Sequence, residues 1–404
     1  MALMPVTDAL AAVLSGAEAL PEEMVALDLA HRRILARDLT ALRTQPPQAM
    51  SAMDGYAVRA ADAGRAGVRL KVIGEVAAGR PFDHAVGPGE AVRIFTGGVI
   101  PDGADAVIIQ EDTVVEGASI TLTEAAILGR HIRRAGVDFC EGDVLLTAGR
   151  RLTDRDLSLA AAMNYPNLPV HRQPKVALLA TGDELVMPGQ IPGPGQIVYS
   201  NGYALRALAR AEGAEVVDLG IAADTLQATT EGIRRARDIG ADILMTSGGA
   251  SVGDHDLVKR ALDAEGVAIA FWQIAMRPGK PLMHGRLDAM RVIGLPGNPV
   301  SSYVCAFLFL VPLIRKLCGR LTIHHATESA VLGRAVTAND QRQDYLRAHL
   351  TMREDGAVIA TPVNHQDSSL LGNLAAAQAL LIRPPFAPAA EAGSACDILR
   401  LAAE

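Results

Sequence analysis

The sequence predicts a multidomain α/β protein: a doubly wound parallel α/β domain joined to a discontinuous helical domain, an inserted small β domain and a C-terminal β domain. Two observations carry this prediction. From residue 171 onward, apolar strand candidates alternate with amphipathic helix candidates, which is typical of a parallel sheet covered by helices on both faces. On either side of that stretch, short alternating segments separated by glycine- and proline-rich turns predict small β-rich domains.

Residues 171–321 contain the elements of the predicted α/β domain. The strand candidates are KVALLA, AEVVDLG, ADILMT, VAIAFWQIA and RVIGLPG. The helix candidates are SNGYALRALARAEG, TLQATTEGIRRARDIG, HDLVKRALDAEG and PVSSYVCAFLFLVPLIRKL. The last helix includes the most apolar stretch of the chain, from Tyr303 to Ile314, which is too short to span a bilayer and contains Pro312. We therefore expect a buried helix there and no contact with a membrane.

The flanking segments differ in character from the α/β domain. Residues 46–139 hold the strand-like runs VRLKVIGEV, EAVRIF and DAVIIQEDTVV between turn signals, and form the predicted inserted β domain. Residues 1–45 and 140–170 have helical patches, with Thr153 and Asp154 placed to cap a helix, and form the predicted discontinuous helical domain. Residues 322–404 contain segments such as GAVIATPV and ALLIRPP, and form the predicted C-terminal β domain.

The composition excludes several function classes. The 404-residue chain is 50% hydrophobic, only 3% aromatic, and has a formal net charge of −7, so a nucleic-acid partner is not expected. The four cysteines, Cys140, Cys305, Cys318 and Cys396, lie far apart, which excludes a zinc ribbon or a disulfide framework and fits a reducing compartment. Because the N-terminus lacks the basic region of a signal peptide, we expect a cytoplasmic protein.

Polar and glycine-rich loops follow three of the predicted parallel strands. They are residues 181–184 (TGDE), 247–256 (SGGASVGDHD) and 296–299 (PGNP). Ligands of doubly wound sheets bind outside the carboxyl ends of the strands, so we expect the three loops to meet at one crevice. Glu184 in the first loop is suited to hold a divalent cation, or it serves as a helix cap.

The other loops also allow two interpretations each. The glycines and amides of the second loop, at Ser247, Gly248, Gly249 and Ser251, suit a phosphate, or they form a tight turn before a helix capped by Asp254. Arg277 and Lys280 of RPGKP suit an oxyanion, or form a solvated turn. The PGNP loop presents fixed amides to a ligand, or only turns the chain from strand to helix. Together these loops indicate an anionic, phosphorylated small molecule handled with a cation.

Taken together, the motifs resemble the molybdopterin molybdenumtransferase family, which includes bacterial MoeA and the E domain of gephyrin. The resemblance runs in order along nearly the whole chain, through SAMDGYAV (51–58), TG (96–97), RRAGVD (133–138), TGDEL (181–185), SN (200–201), the 247–256 loop, RPGKP (277–281) and LPGNPVS (295–301). The chain departs from the family pattern at Gly98 and Val99, Val137, Tyr199 and Arg277, where the family more often has Ala-Pro, Glu, an acidic residue and lysine.

The resemblance implies an activity and an assembly. Such enzymes cleave the phosphoanhydride of adenylylated molybdopterin with Mg²⁺ and insert molybdate between the dithiolene sulfurs, which gives molybdenum cofactor and AMP. It also implies that the α/β domain is of the molybdopterin-binding type and that the protein is a homodimer. Its active cleft would lie between the α/β domain of one subunit and the first two domains of the other. The molybdopterin adenylyltransferase and acceptor molybdoenzymes are expected as further partners.

The resemblance also implies site residues. The expected catalytic residues are Asp54, Thr96 and Asp138 on one wall, and Glu184, Asp224 and Asp256, which would also bind Mg²⁺, on the opposite wall from the partner subunit. The expected substrate-binding residues are Ser247, Gly248, Gly249, Ser251, Arg277, Lys280, Pro296, Gly297, Asn298, Pro299, Ser301, Arg347 and Ser369.

Structural interpretations of some of these residues stay open. They are a turn at Asp54, an ion pair between Asp138 and Arg134, and a helix cap at Asp224. Two other functions also stay open. One is molybdopterin adenylylation, because the TGDEL and SGGxS loops also resemble the fold of the molybdopterin adenylyltransferase. Adenylyltransferases of this kind, however, are single small α/β domains. A scaffold of the gephyrin E-domain type is the other, although the complete set of acidic and basic motifs argues against it.

Overall fold

The computed structural model describes residues 3–77, 79–248, 257–271 and 273–401. The elements of its first part are α1 (Val6–Leu14), β1 (Glu22–Ala26), β2 (Leu39–Thr40), β3 (Met50–Ser51), β4 (Gly55–Val58), β5 (Arg69–Val76), β6 (Glu90–Ile94), β7 (Ala106–Ile109), β8 (Thr113–Glu116), β9 (Ser119–Leu122), β10 (Ile132–Arg133), β11 (Val144–Leu146), α2 (Asp154–Ala162) and β12 (Asn167–His171). Short 3-10 helices cover Leu27–Leu29, Ala60–Asp62 and Gln110–Asp112.

The middle part follows, with β13 (Lys175–Thr181), β14 (Leu185–Val186), β15 (Ile197–Val198), α3 (Asn201–Ala211), β16 (Glu215–Ala222), α4 (Leu226–Asp238), β17 (Ile243–Ser247), α5 (Leu257–Ala264), β18 (Ala268–Phe271), β19 (Met276–Arg277), β20 (Met283–Leu287), β21 (Met290–Leu295), α6 (Pro299–Cys305), a π-helical turn (Ala306–Leu310) and α7 (Val311–Leu317). The last part holds β22 (Thr327–Leu332), β23 (Gln343–Met352), β24 (Val358–Pro362), α8 (Leu371–Ala376), β25 (Ala379–Arg383) and β26 (Ala395–Arg400).

Strands β4 to β9 form a six-stranded sheet within residues 46–139, in the order β7-β4-β6-β5-β9-β8. Successive side chains of a strand point to opposite faces. Accordingly, Tyr56 packs in one hydrophobic cluster with Leu70 and Ile108, while its neighbour Ala57 packs in another with Val92. Both faces of this sheet are therefore covered, and the sheet forms a core of its own.

The segments before and after this sheet pack against each other. Strand β1 pairs antiparallel with β12, and β2 pairs antiparallel with β11. A core that includes Leu39, Phe139 and Met163 joins the two segments. The helical character of this unit lies in α2, which begins with a capping box between Thr153 and Asp156, because α1 packs instead against the α/β core.

The α/β sheet has six strands in the order β16-β13-β17-β21-β20-β18. Strands β16, β13, β17 and β21 are parallel, whereas β20 pairs antiparallel with β21 and with the edge strand β18. The segment VAIAFWQIA, predicted as a strand of the parallel sheet, contributes β18, which runs in the direction of the parallel strands but is separated from them by β20. Strand β20 is reversed because a tight turn at residues 288–289 joins it to β21, and strands joined by so short a turn can only run antiparallel.

Helices cover both faces of this sheet, as the sequence predicts. Val176 and Leu178 of β13 pack with α3 and α6 on one face, and Ala177 and Leu179 pack with α4 and α5 on the other. One helix among the described residues, Pro299–Leu317, is long and apolar enough to cross a membrane, with a mean hydropathy of 1.6, but 83% of that stretch is buried inside the protein.

The last part of the chain is a closed β barrel. Strands β23, β24, β22, β26 and β25 pair in that order, and β25 pairs again with β23. Leu332, Ala348, Leu381 and Ile398 belong to its hydrophobic core. Strand β19 pairs parallel with β23, which attaches the RPGKP loop of the α/β unit to the barrel.

Candidate active site

A cavity of about 720 Å³ lies where the parallel strands β13, β17 and β21 end, and we call it the main cavity. The expected site residues that line it are Glu184, Ser247, Gly248, Lys280, Pro296, Gly297, Asn298, Pro299, Ser301 and Ser369. The remaining lining residues are Thr181, Leu185, Ile197, Val198, Tyr199, Ser200, Asn201 and Pro281. The structure thus brings the TGDE, SGG and PGNP loops to one cavity, because their strands are neighbours in the parallel sheet.

Side-chain amides connect the loops around the main cavity. The Asn201 amide, at the start of α3, donates to the Gly297 carbonyl oxygen at 2.8 Å and to the Ser247 hydroxyl at 3.3 Å. Asn298 donates to the Ser368 hydroxyl at 2.9 Å, and so ties the PGNP loop to the barrel segment that carries Ser369. Hydrogen bonds within the protein therefore connect the loops that form the lining.

The SGG loop approaches the TGDE loop too closely for a side chain at Gly248. This glycine has a φ of +96°, and an added Cβ would lie 2.4 Å from the Thr181 carbonyl oxygen. Gly297, across the same cavity, has space instead, because the nearest heavy atom to an added Cβ would be 3.9 Å away.

We expect Gly248→Ala to destabilise the folded protein by about 1–3 kcal/mol, because alanine would be forced into a left-handed conformation and a steric clash. Gly297→Ala is the matched control and should change the free energy of unfolding by no more than about 0.5 kcal/mol. Urea unfolding of both variants measures the difference. Equal stabilities would show that the loops are not packed as described.

Four buried hydroxyl groups of the α/β unit have no hydrogen-bond partner among the described residues. They belong to Thr181 and Tyr199, which line the main cavity, and to Thr246 and Ser302, which do not. A buried hydroxyl that makes no hydrogen bond is costly. The phenolic oxygen of Tyr199 lies against Gly202 of α3, and burial raises the pKa of Tyr199 to about 12.

The acidic residues of the α/β unit lie on two adjacent loops. Glu184 lines the main cavity, and its neighbour Asp183 accepts a hydrogen bond from the Asp224 backbone N–H at 3.0 Å. In return, the Asp183 N–H donates to the Asp224 carboxylate at 3.4 Å. Asp224 is exposed and lies outside the lining of the cavity, but this reciprocal pair holds it beside the TGDE loop.

The helix-cap interpretations of Glu184 and Asp224 are both wrong. The chain enters the short strand β14 directly after TGDE, so no helix begins there. The cap of α4 is Thr225, whose hydroxyl accepts a hydrogen bond from the Ala228 N–H at 3.1 Å. Both carboxylates are therefore free of this structural role.

The described residues contain no group of three or more His, Cys, Asp or Glu side chains that could hold a metal ion by themselves. Asp256, the third expected Mg²⁺ ligand, lies outside the described residues, as do Gly249 and Ser251. Mg²⁺ is commonly held by one or two carboxylates and by phosphate oxygens of a substrate. Glu184 and Asp224, exposed on adjacent loops, fit such an open site.

The two cations of the RPGKP loop face different surroundings. Lys280 lines the main cavity, and no carboxylate pairs with it in the part of the chain that the structure describes. Arg277 does not line that cavity. Its Nε donates to an Asp344 carboxylate oxygen of the barrel at 2.9 Å, because β19 pairs with β23. The expectation that both cations meet one oxyanion is therefore corrected for Arg277.

Arg347, on β23, is almost fully buried, with 1% of its surface exposed, and it does not line the main cavity. Its Nη2 donates to the His365 carbonyl oxygen at 3.4 Å, while its Nε and Nη1 have no partner among the described residues. Burial lowers the pKa of Arg347, and the charge of Asp367 acts against this shift. Asp367 also accepts a hydrogen bond from the Ser369 hydroxyl at 2.6 Å, so Arg347 is linked electrostatically to the segment that carries Ser369.

The expected residues of the opposite wall lie elsewhere in the same chain. An Asp54 carboxylate oxygen accepts hydrogen bonds from the Thr96 N–H at 2.7 Å and from the Thr96 hydroxyl at 2.9 Å. These bonds, the backbone one foremost, hold the pKa of Asp54 below its ordinary value, so this exposed carboxylate is ionised at neutral pH. Asp138 is exposed and forms no ion pair with Arg134, so that structural interpretation is wrong.

Some lining residues were not assigned a role from the sequence. Asn201 lies in the Ser-Asn motif and Pro281 in RPGKP, so position within a motif was the available signal. Tyr199 stood out only as a departure from the family pattern. Its burial beside the cavity depends on packing that the sequence does not display.

Comparison with known proteins identifies matching family models and relatives of this chain. Family models for three regions match the chain in order: the MoeA N-terminal region (domain I and II) over residues 4–164, a probable molybdopterin binding domain over 177–316, and the MoeA C-terminal region (domain IV) over 329–401. The molybdopterin molybdenumtransferase of Haemophilus influenzae is 39% identical over 350 residues, which are 86% of each protein. The chain belongs to the molybdopterin molybdenumtransferase family.

Further members of the molybdopterin molybdenumtransferase family extend the comparison. The Bacillus subtilis protein of that name is 36% identical over 95% of this chain and 90% of its own length. The crystal structure of a molybdopterin biosynthesis MoeA protein from Pyrococcus horikoshii covers 100% of both chains with a TM-score of 0.86 and 30% identity. The predicted fold class is confirmed, and the chain is a transferase of this family.

Proposed function

We propose that this enzyme inserts molybdenum from molybdate into adenylylated molybdopterin, with cleavage of the phosphoanhydride and release of molybdenum cofactor and AMP. The observation that carries the proposal is the main cavity. It has Glu184, Lys280, Ser247 and Gly248 around one space of about 720 Å³, and Lys280 has no carboxylate partner among the described residues. That volume lies within the usual range of small-molecule sites.

The glycine-rich backbone is the proposed seat of the organic substrate. Gly248 lets the chain pass close to the TGDE loop and lines the main cavity with Ser247, and Gly249 and Ser251 follow in the same loop of the sequence. Gly297 and Asn298 of the PGNP loop line the same cavity, and Asn201 holds this loop through the Gly297 carbonyl oxygen. We assign these loops to the phosphate and pterin of the substrate.

Lys280, Ser301 and Ser369 are the proposed oxyanion-binding groups. Lys280 supplies the positive charge, and the two serine hydroxyls line the same cavity. The Ser369 hydroxyl donates to Asp367 at 2.6 Å, so it would have to turn in order to donate to the substrate. Arg347, outside the main cavity, is proposed to affect these groups through its positive charge and through its hydrogen bond to the His365 carbonyl oxygen. These groups stabilise the negative charge of molybdate or phosphate where it develops.

We further propose that Glu184, Asp224 and Asp256 hold Mg²⁺ together with phosphate oxygens of the substrate. When bound there, the cation would neutralise charge on the phosphoanhydride. The chain's own contribution is positional, since the reciprocal hydrogen bonds between Asp183 and Asp224 keep the two loops together. Without a cation, the carboxylates would repel an anionic substrate.

The active cleft is proposed to form between two copies of the chain. Asp54, Thr96 and Asp138 do not line the main cavity of their own subunit, yet Asp54 is exposed and ionised. We assign these three residues to the wall that faces Glu184 of the partner subunit. Because a two-fold dimer uses the same surfaces on both subunits, two such clefts would form.

The domain division, the cellular location and the partners of the protein belong to the same proposal. A division into domains at residues 1–45 with 140–170, 46–139, 171–321 and 322–404 is supported by hydrophobic clusters of the paired flanking segments, of the inserted sheet and of the barrel. Another cluster crosses these bounds, because α1 and barrel residues such as Tyr345 pack with the α/β core. We propose a cytoplasmic protein that takes its substrate from a molybdopterin adenylyltransferase and supplies acceptor molybdoenzymes.

Release of AMP from adenylylated molybdopterin tests the proposed function. We expect AMP and molybdenum cofactor only when molybdate and Mg²⁺ are both present, and removal of Mg²⁺ with EDTA should stop the reaction. AMP release that is indifferent to both ions would contradict the mechanism. Pyrophosphate release from molybdopterin and ATP would instead identify an adenylyltransferase. A folded protein that carries out neither reaction would favour the scaffold.

A further inference from the structure

A second cavity, of about 360 Å³, opens at the end of the barrel where β22, β24 and β25 end and β23 begins. We call it the barrel-mouth cavity. Its lining includes Arg277, Arg334, Asp344 and Arg383, and it shares no lining residue with the main cavity. Three arginines against one carboxylate give this space an excess of positive charge.

Two of these arginines have no carboxylate partner among the described residues. Arg277 is paired with Asp344 at 2.9 Å and with Asp340 at 3.4 Å. Arg334, in contrast, donates to the side-chain oxygen of Asn364 and, at 2.7 Å, to the Val363 carbonyl oxygen, which are neutral groups.

Among the described residues, Arg383 likewise donates only to the carbonyl oxygens of Thr337, at 3.3 Å, and Pro388. It is 9% exposed, and its Nε has no hydrogen-bond partner among the described residues. Buried polar groups are normally hydrogen-bonded, so this guanidinium lacks a partner that the site should supply. Planar guanidinium groups with free donors are matched in geometry by phosphate-like oxyanions.

The packing of the RPGKP loop separates its two cations, Arg277 and Lys280, so that they do not share one ligand. Gly279, between them, has a φ of +106°, and an added Cβ would lie 2.4 Å from the Cys305 sulfur of α6. The loop is thereby packed against α6, with Lys280 in the main cavity and Arg277 in the barrel-mouth cavity.

We propose that the barrel-mouth cavity binds a small phosphate-like oxyanion, held by Arg334 and Arg383 with Arg277 at its edge. The ligand is either an inorganic oxyanion or the phosphoryl group of a small organic molecule, for which the cavity has room. This inference does not rest on the proposed function, because the residues that carry it belong to the barrel and not to the main cavity.

Calorimetric titration of the full-length protein with inorganic phosphate and with glycerol 3-phosphate tests the proposal. Arg334→Gln and Arg383→Gln should each weaken binding by about tenfold or more, because each removes charge-assisted hydrogen bonds. Arg353→Gln is the matched control, since Arg353 is exposed beyond β23 and pairs with Asp355. It removes the same charge from the same barrel and should leave binding unchanged.

Tighter binding of glycerol 3-phosphate than of phosphate would identify an organic ligand, and equal binding an inorganic one. The Lys280→Gln protein should retain this binding, which separates the site from the main cavity. Selenate soaked into crystals should give an anomalous peak between Arg334 and Arg383. Equal phosphate affinity of the Arg334→Gln and Arg353→Gln proteins, or selenate in the main cavity alone, would overturn the proposal even if Arg383→Gln fails to fold.

Discussion

Replacing Lys280 with glutamine should lower kcat for AMP release by about 10²–10³-fold, because it removes the cation proposed to stabilise the reacting oxyanion. Lys280 lines the main cavity, and no carboxylate neutralises it in the described part of the chain. Its carbonyl oxygen accepts backbone hydrogen bonds from Ile274 at 2.9 Å and Leu282 at 3.1 Å, so the loop does not depend on the side chain. The loss should therefore appear in steady-state kinetics without a change in the free energy of unfolding.

A matched lysine separates this effect from a general loss of charge. Lys71 is exposed on β5 of the inserted sheet, and Lys71→Gln should keep the wild-type rate. The Lys280→Gln protein should also need more molybdate to reach half its maximal rate. A Lys280→Gln protein with wild-type kinetics would remove the oxyanion role of this residue.

Replacing a carboxylate on either proposed wall should be as severe. We expect Glu184→Gln to reduce AMP release by about 10²-fold or more, and to raise the Mg²⁺ concentration needed for half-maximal rate, because a proposed ligand loses its charge. Asp54→Asn should cause a similar loss, because the amide oxygen can still accept from Thr96 but the negative charge is gone.

Surface acids provide the controls for these two variants. Glu328 pairs with Arg400 on the barrel surface, and Asp263 is exposed on α5, so Glu328→Gln and Asp263→Asn should retain the wild-type rate. Glu184→Gln and Glu328→Gln proteins with the same Mg²⁺ dependence would contradict the proposed metal site.

The parts of the fold that follow from local pattern could be predicted from the sequence. Apolar runs such as residues 176–180 of β13 are needed where both faces of a strand are covered by helices, and this strand has a parallel neighbour on each side. The convergence of the strand-end loops follows from the same parallel arrangement. For this reason most of the polar residues that line the main cavity could be predicted.

Other parts depend on contacts between distant segments. Strand β20 contains the polar residues His284 and Arg286 and is not among the predicted strands, yet His284 is 1% exposed and is hydrogen-bonded to the Val292 carbonyl oxygen at 3.2 Å. Arg277 was predicted to join Lys280 because the two are close in sequence. The pairing of Arg277 with Asp344 across β19 and β23 directs Arg277 away from the main cavity. The register between strands so far apart in the sequence cannot be recognised from a local sequence pattern.

The central claim is that each active cleft takes Asp54 from one subunit and Glu184 from the other, and mixing two inactive proteins tests it most directly. Asp54→Asn and Glu184→Gln proteins, unfolded together and refolded, should recover about a quarter of the wild-type activity, because half of the dimers are mixed and each mixed dimer has one intact cleft. Glu184→Gln mixed with Lys280→Gln should recover none, since both residues line the same cavity of one subunit. Mixed dimers of the first pair that form but stay inactive would contradict the shared cleft.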